Sequence, residues 1–528
     1  MQQNEIVIDT VMNRINCNDQ NMRSLCLCRA SGLLDNSTMS IPTNLYEQLA
    51  NELSSLIASR VFAPGERLPS IRHLAQQKRL SISTVMQALR LLEDRGLIDA
   101  KPQAGYYVRH RARTMVEMSL SESPKEPAFV GITNLLMRVL QANETPGVIQ
   151  LGSAWPPDEL LPIKRIQQTV SSLARRDPAL LARVSCVVTN EPNFIRQIVR
   201  RAVDWGKLDP AEIVVTSSCT EAINLCLRAV AKPGDTIAVE SSTYFVLLQL
   251  IESLGMKALE IPTHPKTGLS IDALELALRE GLVDACLLIP NANNPLGSIM
   301  PDENKKRLAE LLTLHDVPLI EDDIYGDLCF TAQRPWPVKA YDTAGIVLLC
   351  SSFSKAVSPA ARVGYVVAGR YAQEVALLKT LSSGATGHFF QAVLADFVGG
   401  GSYDNQLRKM RRMLAQRLAQ MSDAVATSFP SECTISEPQG GFVLWIKMPE
   451  QVDGLAVHER AIKKGIALMP GTLFSPSGKL RNYIRLNCGN AWAPEIEGAV
   501  RKLGNIVHEI ADSPISIALP EERLQIVR

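Results

Sequence analysis

Between residues 131 and 512 the chain repeats one pattern: a short apolar run, a polar cluster, then a helical apolar period. The runs are Ile213–Thr216, Thr236–Val239, Ala285–Ile289, Pro318–Ile320, Ile346–Leu349 and Val363–Ala368. Apolar strands spaced by helices over so long a span predict an open, mostly parallel α/β sheet with helices on both faces. In such a sheet ligands bind beyond the carboxyl ends of the strands, which makes the residues after each run the candidates for chemistry.

Those residues form a coherent set. Ser217-Ser218-Cys219-Thr220 follow the first run and open a helix, where backbone N–H groups and hydroxyls suit either a phosphate or a plain helix cap. Glu240-Ser241-Ser242-Thr243-Tyr244 bring an aromatic to the mouth, and the rigid loop Pro290–Gly297 presents Asn294. Glu321-Asp322-Asp323-Ile324-Tyr325 put carboxylates at the end of a buried strand, where they need a positive partner. Ser351-Ser352-Phe353-Ser354-Lys355, with Arg362 seven residues on, offer an amine for a Schiff base and cations for a phosphate.

Residues 43–109 follow a different logic. Leu45, Leu49, Leu53, Leu56 and Ile57 recur at helical spacing behind Thr43/Asn44. Pro64-Gly65 turns the chain, Ser70 caps a short helix, and Ser81-Ile82-Ser83-Thr84 open a second helix through Val85, Leu89 and Leu92. Two short strands around Gly96–Val108 follow. Helix, turn, helix and hairpin predict a winged helix-turn-helix whose last helix presents hydroxyls to a major groove. Nine basic residues face six acidic ones over this span, a net +3. The whole chain carries 55 basic and 54 acidic residues, so any nucleic-acid role rests on this local surface.

Composition bounds the remainder. A hydrophobic share of 46% with 21% charged residues is globular usage, and no apolar stretch reaches membrane-spanning length. The N-terminus lacks the basic and apolar regions of a secretory signal. The eleven cysteines sit mostly singly in apolar runs, as reduced thiols of a cytoplasmic protein, and Cys26/Cys28 lack partners at zinc spacing, so no metal site is expected. The expected division is a disordered tail over 1–40 (with Met39 as a second possible start), a winged helix over 41–110, a linker over 111–130, the α/β domain over 131–512, and a tail over 513–528.

The N-terminal motifs resemble the GntR-type winged helix. The residues that carry the likeness are Leu45-Tyr46-Glu47-Gln48-Leu49, Pro64-Gly65-Glu66-Arg67-Leu68-Pro69-Ser70, Thr84-Val85 and Leu92-Glu93-Asp94-Arg95-Gly96-Leu97-Ile98. The resemblance implies that Arg72, Ser81, Ser83 and Thr84 face phosphates and base edges of double-stranded DNA, with Lys101, Gln103 and Gly105 in the wing. Many relatives have an arginine where this chain has Ile82 or Met86.

The strand-end residues resemble a fold-type I aminotransferase, with a small C-terminal α+β subdomain, that binds pyridoxal 5′-phosphate (PLP). The resemblance implies an internal aldimine at Lys355, Asp322 on the pyridine nitrogen, Tyr325 and Asn294 on the phenolic oxygen, and Tyr244 on the ring face. It implies Ser218, Cys219, Thr220, Ser352, Ser354 and Arg362 around the phosphate, and Arg485 on a substrate carboxylate. Gly440-Gly441-Phe442 before Leu444-Trp445 matches the strand that enters the subdomain. Two departures stand out: Ser218 replaces the usual glycine, and Val187–Arg196 lacks the tyrosine that reaches a partner subunit's phosphate.

The combined layout is similar to MocR/GabR-type transcriptional regulators. It implies a cytoplasmic homodimer that binds DNA and senses an amino acid or related amine through an aldimine at Lys355. The alternatives are an active PLP-dependent aminotransferase with an accessory DNA-binding domain, and a cofactor-free scaffold.

Overall fold

The computed structural model describes residues 44–58, 61–62, 66–95, 97–101, 105–108, 118–121, 126–183 and 190–513. The chain divides into two compact units, Met1–His110 and Arg111–Arg528. Expectations for residues 1–43, Pro64-Gly65, Gln103, Val187–Thr189 and 514–528 lie outside the described residues.

The first unit contains α1 (Leu45–Ala58), α2 (Ile71–Lys78), α3 (Ile82–Asp94), β1 (Ile98–Lys101) and β2 (Gly105–Val108). Ser70 caps α2, and Arg79 ends it in the left-handed region at φ 54°. Ser81 caps α3, its Oγ accepting from the Thr84 N–H at 3.0 Å. The left-handed Arg79 and the Ser81 hydroxyl cap two residues later thus separate α2 from α3. Leu49, Leu53, Leu74, Val85, Leu89, Leu92, Ile98 and Val108 form a common core. β1 and β2 pair antiparallel, and the Glu66–Leu68 segment joins β2 through Leu68 N–H to Tyr106 O and Val108 N–H to Glu66 O, both 2.8 Å. Gly105 needs to be glycine, because its φ is +103° and the Arg67 side chain lies against it.

The second unit is built on a sheet whose main strands are β3 (Ile213–Thr216), β4 (Thr236–Ser241), β5 (Lys257–His264), β6 (Ala285–Leu288), β7 (Leu319–Asp322), β8 (Val347–Ser352) and β9 (Gly364–Val367). Their spatial order is β5-β4-β6-β7-β8-β9-β3. β5, β4, β6, β7 and β8 are mutually parallel, whereas β9 runs antiparallel to both β8 and β3. Helix α4 (Cys219–Val230) follows β3, and α5 (Ala372–Ser382) packs on α4. A smaller layer combines the long helix α6 (Ser402–Ser428), β10 (Val443–Lys447), α7 (Gly454–Lys463), β11 (Tyr483–Asn487) and α8 (Pro494–Ala511). Its core includes Leu418, Val425, Leu444, Val457, Ile484 and Leu503. No described helix is long and apolar enough to cross a membrane.

Three local expectations differ from the structure. The run at Val363–Ala368 is antiparallel to both of its neighbours, so its amino end, not its carboxyl end, meets the ligand edge. Strand β5 has no counterpart among the expected runs, because Glu260 and Pro262 interrupt its apolar pattern. The linker expected over 111–130 is anchored at two points: Met118 is buried in the main core, and Ala128–Phe129 pair with β5.

Register brings the edge together. Gly364 stands opposite both Ser352 and Thr216, and Asp322 stands opposite Cys350. A Cβ on Gly364 would lie 2.6 Å from the Ser218 carbonyl carbon and 2.9 Å from the Cys219 nitrogen, so only glycine admits the turn before α4. Gly364→Ala should therefore destabilise the second unit by about 1–3 kcal/mol. Urea unfolding followed by tryptophan fluorescence isolates that unit, since Trp155, Trp205, Trp336, Trp445 and Trp492 all lie in it. An unchanged midpoint would show that the turn has room to move.

Candidate functional site

At the carboxyl edge of the sheet lies a cavity of about 610 Å³. All eleven residues expected around a cofactor line it: Ser218, Cys219, Thr220, Tyr244, Asn294, Asp322, Tyr325, Ser352, Ser354, Lys355 and Arg362. They come from six separate strand ends, gathered there by the parallel sheet and by the reversed β9, which is preceded by Arg362.

Lys355 is buried, its Nζ donating to the Ala154 carbonyl at 2.6 Å and lying 3.6 Å from the centroid of the Trp155 ring. Burial, helped by the nearby Arg485 guanidinium, pushes its pKa down to about 7. Near neutrality half of this amine is therefore unprotonated and nucleophilic. Burial pushes Asp322 up to about 6, against the Cys219 thiol and the Ile324 N–H, which donate to it. The Cys219 side chain thus faces Asp322 at 3.3 Å, and what this residue offers an anion is its backbone N–H. Tyr325 is buried beside Asn294 and packs edge-on against Phe442 at 5.6 Å.

Arg485 is fully buried. Nη1 donates to Asn294 Oδ1 at 3.1 Å and Nη2 to the Gly152 carbonyl at 2.6 Å, while Nε has no partner. No carboxylate among the described residues pairs with it. A buried, unneutralised guanidinium with an orphaned donor is costly unless an anion completes it. At the mouth, Arg362 is exposed, has φ +50°, and forms no ion pair among the described residues. The donor set fits PLP: an amine poised near neutrality, a buried carboxylate for a ring nitrogen, and a helix start with hydroxyls and a free arginine for a phosphate.

Sequence patterning did not point to Trp155, Lys379 or Arg334. Trp155 sits in the non-periodic segment Ser153-Ala154-Trp155-Pro156-Pro157. Lys379 lies four residues after buried Val375, so a lysine on an apolar helix stripe was the available signal. Arg334 pairs with Asp323 and, at 2.8 Å, with Asp327, supplying the positive partner that the carboxylates after β7 require.

The expected DNA contacts lie on the first unit. Arg72, Ser81 and Ser83 are exposed and Thr84 is half-buried. Ser81 Oγ lies 2.7 Å from both Ser83 Oγ and Thr84 Oγ1, so these three hydroxyls form one cluster at the start of α3. Lys101 and Gly105 end and begin the two wing strands.

Residues 192–503 match the family described as aminotransferase class I and II, and residues 45–108 match bacterial regulatory proteins, gntR family. The chain is 36% identical over 464 residues to the uncharacterized HTH-type transcriptional regulator YjiR of Escherichia coli K12, covering 88% of this chain and 98% of that one. It is 36% identical over 469 residues to YdcR of the same organism, covering 88% and 99%. Among solved structures it resembles the multiple substrate aminotransferase of Thermococcus profundus, with TM-score 0.67 and 26% identity over 71% of this chain and 95% of that one.

The low pKa of Lys355 has a kinetic consequence. The rate at which added PLP is captured should rise from pH 6 to 8 and level off above, with a midpoint near 7, as the ammonium loses its proton. Stopped-flow absorbance across that range would show it. A rate still climbing at pH 10 would mean that the amine is solvated.

Proposed function

The chain belongs to the family of transcriptional regulators that join a gntR-type winged helix to a PLP-dependent aminotransferase class I and II domain, and on that premise we propose that it is a DNA-binding regulator that senses an amino compound bearing a carboxylate. The observation that carries this reading is Arg485: a fully buried guanidinium beside the cavity of Lys355, with one N–H unpaired and no carboxylate of its own.

When bound, PLP supplies an electron sink that stabilises negative charge developing next to the nitrogen of an amino compound. The residues of this chain do the rest. Lys355 Nζ would hold the cofactor and, being near its pKa at neutrality, can take or release a proton there. Asp322 would keep a proton on the ring nitrogen, and the Cys219 S–H and Ile324 N–H donated to it favour the carboxylate this requires. Tyr325 and Asn294 would hold the ring oxygen, and Tyr244 would cover the ring face. Ser218, Thr220, Ser352, Ser354, Arg362 and the Cys219 N–H would hold the phosphate. Arg485 would fork onto the effector's carboxylate.

On the DNA side, Arg72, Ser81, Ser83, Thr84, Lys101, Gln103 and Gly105 would meet double-stranded DNA through a major groove and a wing. A two-fold homodimer would match paired half-sites, and a cytoplasmic location would suit work on DNA. Effector binding regulates only if it favours one of two states, so the amino compound must bind the DNA-competent and DNA-incompetent forms unequally.

Replacement of Lys355 by Ala tests the reading. Wild-type protein should develop a visible absorbance band with PLP, and its DNA affinity, measured by fluorescence anisotropy, should change with the right amino acid. The variant should lose the band and the response but keep basal DNA binding. No band even with excess PLP, or an unaltered response in the variant, would overturn it. Sustained conversion of amino acid to keto acid by the wild type would favour the second reading, a working aminotransferase, which the near-neutral Lys355 amine also permits.

A further inference from the structure

The first turn of α4 contains a charge opposed to its expected ligand. Glu221, in the first turn of the helix, lines the cavity, and its Oε2 accepts from the Ser217 N–H at 2.6 Å. The Glu221 N–H donates to Ser218 Oγ at 3.0 Å. These bonds leave the N–H groups of Cys219 and Thr220 without an acceptor among the described residues, as the first donors of a helix always are. An anion placed on them would stand next to the Glu221 carboxylate, and like charges in a partly dry site repel.

The structure also contains the counter-charge. Lys379 of α5 is 1% exposed and reaches both carboxylate oxygens, at 3.1 and 3.0 Å from Oε1 and Oε2. Its third donor goes to Ser383 Oγ at 2.7 Å, and Ser383 Oγ donates back to Glu221 Oε1. Burial pulls the Glu221 carboxyl upward, but the bonds from Ser383, Ser217 and Lys379 hold it below its ordinary value, so it stays ionised. Every donor of the lysine is committed to this cluster, 158 residues away in sequence from its carboxylate.

We propose that Lys379 is a positioning residue for the phosphate of PLP: it neutralises Glu221 and, through it, holds the Ser217–Thr220 turn in the conformation that receives the anion. The lysine itself touches neither cofactor nor effector. This rests on the proposed placement of the phosphate at the start of α4.

The test compares affinities for PLP and for pyridoxal, which lacks the phosphate, by quenching of tryptophan fluorescence in the full-length protein. Lys379→Met should raise the Kd for PLP at least tenfold and leave that for pyridoxal within twofold. Adding Glu221→Gln to Lys379→Met should restore PLP binding to within threefold, because glutamine keeps the acceptor for Ser217 and removes the charge. Glu221→Gln alone, which keeps the ion-pair lysine and the hydrogen bond, should bind PLP as well as the wild type or better. If Lys379→Met fails to fold, this single variant and Lys379→Arg decide: Arg should preserve PLP affinity. Equal weakening of PLP and pyridoxal, no recovery in the double variant, or a large loss in Glu221→Gln would overturn the proposal. A wild type that binds pyridoxal as tightly as PLP would instead refute the phosphate placement on which it rests.

Discussion

One reversed strand organises the cavity. Because β9 runs against β8 and β3, Gly364 is in register with Ser352 on one side and Thr216 on the other. The amino end of β9 therefore meets the carboxyl ends of its neighbours, and Arg362, two residues upstream, is delivered to the same edge. Were β9 parallel, that arginine would lie a strand length away. The missing side chain of Gly364 then allows the Ser218–Cys219 backbone to approach within contact distance. Lysine, arginine and helix start converge because one row of three residues forces them to.

Charge is balanced in two layers around that row. Facing the cavity, Asp322 is pushed up to about 6 by burial and receives only a thiol and a backbone N–H. Behind it, Asp323 and Asp327 are bound by Arg334, and Arg201 also reaches Asp327 at 3.3 Å. Tyr403 donates to Asp327 at 2.6 Å. The rear layer is closed and satisfied, so it fixes the Asp322–Tyr325 segment without competing for a ligand. The front layer is left open: Arg362 and Arg485 lack carboxylate partners among the described residues. A protein that closed one layer and left the other open would lose stability unless ligands completed it.

Much of this was visible in the sequence, for a physical reason. Parallel strands put all their carboxyl ends at one edge, so the residues after Thr216, Leu288, Ile320 and Leu349 had to converge whatever their spacing. The capping hydroxyls Ser70 and Ser81 marked the two helix starts equally well. Distant electrostatic partners were not visible. Nothing local to Glu221 names Lys379, and nothing local to Asp323 names Arg334 as its ion-pair partner. Trp155 and the Gly152 and Ala154 carbonyls belong to a segment with no period, positioned by Leu151 and Asn487 hydrogen bonding rather than by its own pattern. Strand β5 was hidden for the opposite reason: its buried Glu260 is tolerable only because Ser241, Ser477 and Lys479 surround it.

The contrast between Lys355 and Lys379 shows how one fold gives the same side chain two characters. Both are buried to a similar degree. Lys379 faces a carboxylate that stays ionised, and its three donors are all used within one cluster. Lys355 faces a guanidinium, a tryptophan ring and a single carbonyl, and its nearest carboxylate is itself pushed towards neutrality. The surroundings of Lys355 disfavour its proton, chiefly through burial. Burial depresses the Lys355 ammonium most, and Arg485 adds to it while awaiting an anion. A carboxylate arriving on Arg485 would cancel part of the repulsion and raise the proton affinity of Lys355. Occupancy of Arg485 by an acidic group and protonation of the free Lys355 amine would then be coupled through one guanidinium.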